Sequence, residues 1–262
     1  MWEGLDAVEW AGLKHNYGAA GDVPGLLRRC AGPDPDDAED AADDLLNLLY
    51  HQGGWICPAA SAALPFLLRL AASPDVRCRG TVLDTVARLA SLTDIVAERF
   101  LDPAWHPAWE RALPEVCALL GDPTPAIRRA AADIIGLCPS PGEATLPPLL
   151  RCWQSESDPA TRLDLVLALG RAVPREPAGD RAEEATALLR GLLLDSPEPQ
   201  LRLAVMHGLA AGGSDLAAGV SGIVALGSGF GSGDSGVASG GVGVAAVGLG
   251  GLESGGSDSA AG

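Results

Sequence analysis

The chain is poor in lysine and in aromatic residues. Lys14 is the single lysine among 18 Lys and Arg residues, and aromatic residues make up 4% of the 262 residues. With 34 Asp and Glu residues, the formal net charge is -16. Lys and Arg drive phosphate binding, so we expect neither nucleic acid nor an anionic membrane as a partner. A basic protein partner is compatible with this charge.

Long apolar runs and paired cysteines are also missing. No stretch reaches the roughly 18 uninterrupted apolar residues of a membrane span. The opening MWEGLDAVEW lacks the basic and apolar regions of a secretion signal. Six cysteines occur singly, without a C-x-x-C pair, so we expect reduced, buried thiols rather than a disulfide framework. These absences predict a cytoplasmic protein, and the Ala-, Gly-, Pro- and Arg-rich composition is typical of a GC-rich bacterial genome.

A repeated phrase is the most informative feature that is present: proline, any residue, an apolar residue, arginine. Its prolines lie 51, 34 and 40 positions apart, and one copy carries Thr161 at the apolar position. Self-similarity at about 33 to 47 residues is typical of helical-repeat solenoids. We therefore predict an all-α, right-handed α-α superhelix. The copies are Pro74–Arg77, Pro125–Arg128, Pro159–Arg162 and Pro199–Arg202.

The composition changes near residue 212. This change divides the chain into a predicted helical-repeat domain over 1–211 and a Gly/Ser/Ala-rich tail over 212–262. In the domain, apolar periodicity and turn residues predict helices that pair as short hairpins. The tail has few large side chains to offset the entropy of ordering glycine, so we predict disorder. A shifted reading frame and a genuine extension both account for it. The predicted helices are 6–16, 22–30, 36–51, 58–72, 75–91, 105–120, 126–137, 143–154, 160–172, 180–194 and 199–210.

The phrase within 122–136 (DPTPAIRRAAADIIG) resembles the HEAT repeat, in which Asp and Pro of the turn precede an apolar-Arg start of the second helix. The N-terminal third is similar to the opening of a largely uncharacterised group of bacterial HEAT-repeat proteins, some of which resemble immunity proteins encoded beside polymorphic toxins. The resemblance covers about residues 2–211. It is carried by Trp10, Leu13, His15, Tyr17, Gly18, Asp22, Val23, Pro24, Leu26, Leu27, His51, Gln52, Gly53 and the stretch 63–67.

Each repeated arginine falls in the first turn of a second helix, and an aspartate lies in the turn just ahead of three of them. We therefore hypothesise a ladder of Asp–Arg pairs between adjacent turns. Solvated surface pairs, worth about 0–1 kcal/mol, are the alternative. The aspartates are Asp122, Asp158 and Asp195.

Catalytic and metal-binding patterns are weak. No H-E-x-x-H motif, paired-cysteine spacing or repeated His-Glu pair occurs, so we expect no metal and no cofactor. His51 and Cys57 are near in sequence, as a nucleophile and its base would be, but nothing around them supports that role. Trp105 and Trp109 share a helix face, which suits either a binding surface or the filling of a gap between hairpins.

An acidic run offers the best functional candidate. Asp36, Asp37, Asp40, Asp43 and Asp44 crowd one helix start, where the helix dipole favours carboxylates. Asp36, Asp40 and Asp44 nevertheless repeat at i, i+4, where like charges repel. This run is either a partner-binding surface or simply a solvated face.

The sequence predicts a non-catalytic protein-interaction module, either a toxin-neutralising immunity protein or an assembly scaffold. The alternative is an enzyme on the same architecture, such as a helical-repeat DNA glycosylase, which would need a basic groove that this composition does not favour.

Overall fold

The structure, a computed structural model, describes residues 1–50, 54–137, 144–175 and 177–211. The prediction of a disordered tail over 212–262 lies outside these residues. The described chain is an all-α, right-handed α-α superhelix. Its helices are α1 (Val23–Cys30), α2 (Pro35–Leu49), α3 (Pro58–Ala72), α4 (Arg79–Leu92), α5 (Trp105–Ala118), α6 (Pro125–Leu137), α7 (Leu146–Ser155), α8 (Pro159–Ala172), α9 (Asp180–Asp195) and α10 (Pro199–Ala211).

Consecutive helices pair as hairpins, from α1–α2 to α9–α10, and the hairpins stack in two layers. The even-numbered helices α2, α4, α6, α8 and α10 form one row, each in contact with the next. We call this row the even layer, and the row of odd-numbered helices the odd layer. The predicted pairings of α5 with α6, α7 with α8, and α9 with α10 are confirmed. A continuous apolar core runs through the described stack, because no single hairpin can bury its own apolar face.

Proline sets the start of three even-layer helices. Pro125, Pro159 and Pro199 are the first residues of α6, α8 and α10. The fixed φ of proline suits this position, and its missing N–H would have no intrahelical partner there. The first copy of the phrase behaves differently, because Pro74 lies in a turn and α4 begins at Arg79. The predicted start of this helix at 75 is therefore wrong.

The predicted helix over 6–16 is also wrong. In its place are short 3-10 turns at Leu5–Ala7 and Trp10–Gly12, followed by a two-stranded antiparallel hairpin. Its strands are β1 (Lys14–His15) and β2 (Gly18–Ala19), and Gly18 has a φ of 151°, a conformation that favours glycine. The indole N–H of Trp10 donates to the carbonyl oxygen of Leu5 at 2.8 Å. These contacts wrap the segment over the first hairpin and leave no room for a continuous helix.

Glycines allow the even layer to pack closely. A Cβ atom on Gly136 would lie 2.8 Å from the Cα of Ala168 in α8. A Cβ atom on Gly170 would lie 2.7 Å from the carbonyl carbon of Gly208 in α10. Both distances are shorter than real Cβ contacts, so backbone meets backbone at these crossings. The odd layer is more open, with a groove of about 530 Å³ between α5 and α7.

We predict that Gly170→Ala destabilises the fold by about 1–3 kcal/mol, since the added methyl group forces the backbones of α8 and α10 apart. Gly191→Ala in α9 is the matched control, because a Cβ atom there meets nothing within 4 Å. The control should be stabilised by about 0.5–1 kcal/mol through helix propensity. Denaturant unfolding followed by circular dichroism measures both changes. Equal stability of the two variants would contradict the close packing.

Candidate binding surface

The acidic run forms the start of α2, the first helix of the even layer. Asp34 precedes the helix, and its carboxylate accepts from the backbone N–H of Asp36 at 3.1 Å. This capping satisfies an N–H that has no intrahelical partner. The apolar side of α2 is buried against its neighbours, so the acidic side faces solvent. The buried residues are Ala38, Ala41, Ala42, Leu45 and Leu49.

Arg29 of α1 divides the five candidate aspartates into two groups. Its Nε and Nη2 atoms donate to Oδ1 of Asp37 at 3.0 and 2.7 Å, and its Nη1 lies 3.9 Å from Asp44. The hydrogen bonds from Arg29 lower the pKa of Asp37 below its usual value. Asp36, Asp40 and Asp43 are exposed and form no ion pair within the described part of the chain. The unneutralised charge is therefore concentrated on these three residues, with Asp44 at the edge.

A groove adjoins this acidic surface. It lies between α1 and α2, has a volume of about 480 Å³ and is open to solvent. Asp22 and Asp44 supply carboxylates to its wall, and Asn47 supplies an amide. Apolar atoms of Leu26 and Leu48 complete much of the lining. The guanidinium of Arg29 also lines the wall, 3.9 Å from Asp44, so the two carboxylates leave the lining with one net negative charge. A cationic side chain with an aliphatic stem, such as Lys or Arg, suits this net charge and the apolar lining.

His15 holds one edge of the groove in place. It is buried, and its Nε2 atom lies 3.2 Å from Oδ1 of Asp22. Its Nδ1 atom accepts from the backbone N–H of Tyr17 at 3.0 Å, so Nε2 carries the proton and donates to Asp22. Asp22 occupies the cap position at the start of α1. Its side chain makes no capping hydrogen bond, because the carboxylate is turned to His15 instead.

Charges on the rest of the even layer neutralise one another. Arg129 of α6 pairs with Asp164 of α8 at 2.6 Å, and Arg171 of α8 pairs with Asp133 of α6 at 2.6 Å. Within α4, Arg88 pairs with Asp84 at 2.7 Å. The middle of this layer thus carries paired charges, whereas the start of α2 carries an uncompensated negative charge.

Arginines connect successive turns, as the ladder hypothesis requires, although with partly different residues. Arg79 donates to the carbonyl oxygen of Ala71 at 2.6 Å and pairs with the carboxylate of Asp122 in the next turn. Arg128 donates to the carbonyl oxygen of Asp122 at 2.9 Å and pairs with Glu156, one turn further, at 2.7 Å. Each arginine therefore bonds to a carbonyl group just before its own helix and to a carboxylate in the turn of the next hairpin.

Glu156 is the ladder residue that the sequence analysis missed. Its side chain is only 3% exposed, and hydrogen bonds from Arg128 lower its pKa below the usual value. The backbone N–H groups of Ser157 and Asp158 donate to it as well. The expected partner, Asp158, instead caps α8 by accepting from the N–H of Thr161 at 2.8 Å. Because this turn contains two carboxylates, the sequence alone does not show which of them pairs with Arg128.

The other predicted ladder members do not form the expected pairs among the described residues. Arg77 is exposed, and Arg79 takes its place because α4 begins later than predicted. Arg162 donates to the carbonyl oxygen of Glu156 at 3.2 Å, and its guanidinium carbon lies 3.8 Å from the ring centroid of Trp153. Neither Arg202 nor Asp195 forms an ion pair within the described ranges.

The remaining sequence candidates belong to the core. Trp105 and Trp109 are buried with ring centroids 5.7 Å apart, and Trp105 donates to the hydroxyl of Thr93 at 2.9 Å. They fill the gap between hairpins and present no binding surface. Burial raises the pKa of Cys57 to about 11, which disfavours the nucleophilic thiolate. His51, its suggested base, lies outside the described residues.

Metal sites and membrane-spanning helices each require particular features in the described residues. No group of three or more His, Cys, Asp or Glu side chains there could hold a metal ion. In the same ranges no helix combines the length and apolar character that crossing a membrane requires.

The architecture defines this protein as an α-solenoid of stacked helical hairpins. A family model of HEAT repeats matches residues 113–210, the part that contains α6, α8 and α10. Together with the solenoid architecture, this match supports a HEAT-repeat domain in the chain. No curated protein sequence matches the chain.

Solved structures of repeat proteins share this fold. An engineered protein from the Northeast Structural Genomics Consortium has a TM-score of 0.51 and 18% identity, covering 81% of this chain and 91% of its own. A designed armadillo repeat protein has a TM-score of 0.50 and 17% identity, covering 79% of this chain and 91% of its own. At these identities the likeness concerns the fold alone.

We predict that Arg128→Ala lowers the free energy of unfolding by about 3 kcal/mol, because it leaves the buried Glu156 carboxylate without its cation. The backbone donors at Ser157 and Asp158 keep the loss at the lower end of the usual range. Arg129→Ala is the matched control, since Arg129 is the next residue and its side chain is 48% exposed. Its loss should stay below about 1 kcal/mol. Similar losses in both variants, measured by chemical denaturation, would contradict the ladder.

Proposed function

We propose that the solenoid is a non-catalytic protein-interaction module that binds a basic protein through the acidic start of α2. The observation that carries this proposal is the uncompensated charge of Asp36, Asp40 and Asp43 beside the groove between α1 and α2. Elsewhere in the even layer, arginines pair with the acidic residues. Holding like charges together at i, i+4 costs stability, so a use for them outside the fold is the simplest account.

The shape of the stack supports the same surface. Helices that approach more closely in one layer than in the other make the stack curve towards the closer layer. The glycine contacts place the closer packing in the even layer, whereas the groove between α5 and α7 opens the odd layer. The even layer, with α2 at its N-terminal end, therefore lines the concave side that solenoids use for binding.

The groove indicates how a basic partner engages. A Lys or Arg side chain entering it would meet the carboxylates of Asp22 and Asp44 and place its stem against Leu26 and Leu48. Asp37 is already held by Arg29, so its contribution is to position Arg29 rather than to attract a cation. We therefore assign partner capture to Asp36, Asp40, Asp43 and Asp44, and the support of that surface to Asp37.

Two biological roles suit this module. One is immunity to a toxin by occlusion of its surface, as the resemblance of the N-terminal third implies, and the other is a scaffold for an assembly. We assign the interaction to the helical domain over 1–211. A toxin gene beside this one would decide for immunity.

We predict that replacing Asp36, Asp40 and Asp44 by Asn slows association with the partner several-fold and weakens its salt dependence, because surface charge acts mainly on the association rate. The partner is first identified by crosslinking in the source cells, and a short Lys/Arg-rich peptide serves as a model ligand. Association rates are then measured at low and physiological salt. Helix content should stay the same.

The matched control removes three exposed charges from the last hairpin, as Glu183→Gln, Asp195→Asn and Glu198→Gln. The control should retain most of the association rate, although its net charge equals that of the first variant. Equal slowing of both would show that net charge matters and the position of the charges does not. An unchanged rate in the first variant at low salt would leave the acidic run as a solvated face.

We predict that duplex DNA does not bind with micromolar or tighter affinity, even at low salt where phosphate attraction is strongest. The reason is the net charge of -16 and the pairing of the even-layer arginines with carboxylates. Fluorescence anisotropy with labelled duplex measures this. Tight binding would favour the alternative, a helical-repeat DNA glycosylase or another enzyme on this architecture.

A further inference from the structure

Two of the buried cysteines meet at a junction between hairpins. Cys30 is the last residue of α1, and Cys78 is the residue just before α4. The Sγ of Cys78 donates to the carbonyl oxygen of Cys30 at 3.4 Å, so the side chain of Cys78 lies directly against Cys30. Both cysteines are free and fully buried. Residues far apart in sequence are thus brought together by the stacking of the first two hairpins.

From this geometry we propose that Cys30 and Cys78 are a redox-sensitive pair, which a low-molecular-weight disulfide converts into an intrachain disulfide between the end of α1 and the start of α4. The bond would hold the first hairpin against the second. It would also restrain the turn between α1 and α2, which leads directly into the acidic start of α2. This modification is independent of the proposed binding function.

The position of the pair makes access possible despite its burial. Both cysteines lie at helix ends that border exposed turns, which include Pro33 and Asp34 on one side and Pro74 and Asp75 on the other. Helix ends open locally at a lower free energy than the whole fold. Cys57 offers a contrast, because it is equally buried and free but its Sγ donates to the carbonyl oxygen of Leu49, at 3.7 Å.

The surroundings assign different roles to the two thiols. A hydrogen bond from Cys30 lowers the pKa of Cys78, whereas the same interaction, together with burial, raises the pKa of Cys30. Cys78 is therefore the thiol that forms a thiolate more readily and attacks first. Cys30 is the resolving thiol.

The exchange proceeds in two balanced steps. The Cys78 thiolate attacks one sulfur of the small disulfide, whose S–S bond breaks, and the departing thiolate takes up the proton that Cys78 lost. The sulfur of Cys30 then loses its proton and attacks the Cys78 sulfur of the mixed disulfide. The second small thiolate leaves and takes up that proton. The two cysteines are oxidised to one disulfide, and the small disulfide is reduced to two thiols.

The test incubates the folded full-length chain with cystamine, a small disulfide, until no further change occurs. Thiols are counted after denaturation, and peptides are mapped by mass spectrometry without reduction. We expect a linked peptide pair that contains Cys30 and Cys78 and accounts for two of the six thiols, while any cystamine-derived groups on the partly exposed Cys117 and Cys152 are counted separately as mixed disulfides. The oxidised chain should unfold at a higher denaturant concentration than the reduced chain.

Single variants separate the roles of the cysteines. Cys30→Ser should retain one cystamine-derived group as a mixed disulfide on Cys78, and Cys78→Ser should form no link to Cys30. Cys57→Ser is the matched buried control and should form the Cys30–Cys78 link as the unaltered chain does. Circular dichroism confirms that each variant folds, and Ala replaces Ser where it does not. Retention of all six thiols in the unaltered chain, or a link between other cysteines, would overturn the proposal.

Discussion

The close approach of backbones in the even layer is the constraint on which the rest of this structure depends. Gly136 and Gly170 allow α6, α8 and α10 to pack with no side chain larger than the methyl group of Ala168 at the crossing points. At this spacing the side chains on the rims of neighbouring helices reach each other. Arg129 can therefore pair with Asp164, and Asp133 with Arg171, across the gap between α6 and α8.

The ladder arginines Arg79 and Arg128 add a second link between hairpins, at the turns. A buried ion pair gains little net stability over well-packed apolar residues, but the loss of one partner is costly. Arg79 and Arg128 each hold a backbone carbonyl of their own turn and a carboxylate of the next. Geometry of this kind favours one stacking register over neighbouring ones. The arginine ladder therefore contributes more to the specificity of the stack than to its overall stability.

Both sets of contacts bear on the candidate binding surface. In the middle of the even layer each helix has neighbours on two sides, and its charged residues find partners on them. Helix α2 has an even-layer neighbour on one side only, where Glu39 accepts from the hydroxyl of Thr81 at 2.7 Å. The aspartates on its free side have no such partner. An unpaired acidic surface at the end of the row is thus a consequence of the position of α2 in the stack, and it is the surface to which we assign partner capture.

Local chemistry in the sequence was sufficient to predict the helices and their pairing into hairpins. Apolar periodicity, first-turn prolines and the repeat length act within or between neighbouring elements, so they require no knowledge of distant contacts. The acidic run could likewise be recognised from the sequence, because its residues lie in consecutive turns of one helix. Over 6–16 the same local patterns predicted a helix, and this was wrong. The segment instead contains a hydrogen bond from the indole of Trp10 and leads into a strand hairpin in which Gly18 has a positive φ.

Tertiary structure alone decided which charges remain available. The pairing of Asp37 with Arg29, the choice of Glu156 over Asp158 and the replacement of Arg77 by Arg79 all depend on distances between separate elements. Hydrogen bonds and close ion pairs require atoms within a few ångströms of each other, and sequence separation does not show which residues of separate elements come this close after folding. The sequence by itself therefore determined that this protein is an acidic solenoid. The packing determined that Asp36, Asp40 and Asp43 stay unpaired, because α2 is an end helix of the even layer and has a neighbour in that layer on one side only.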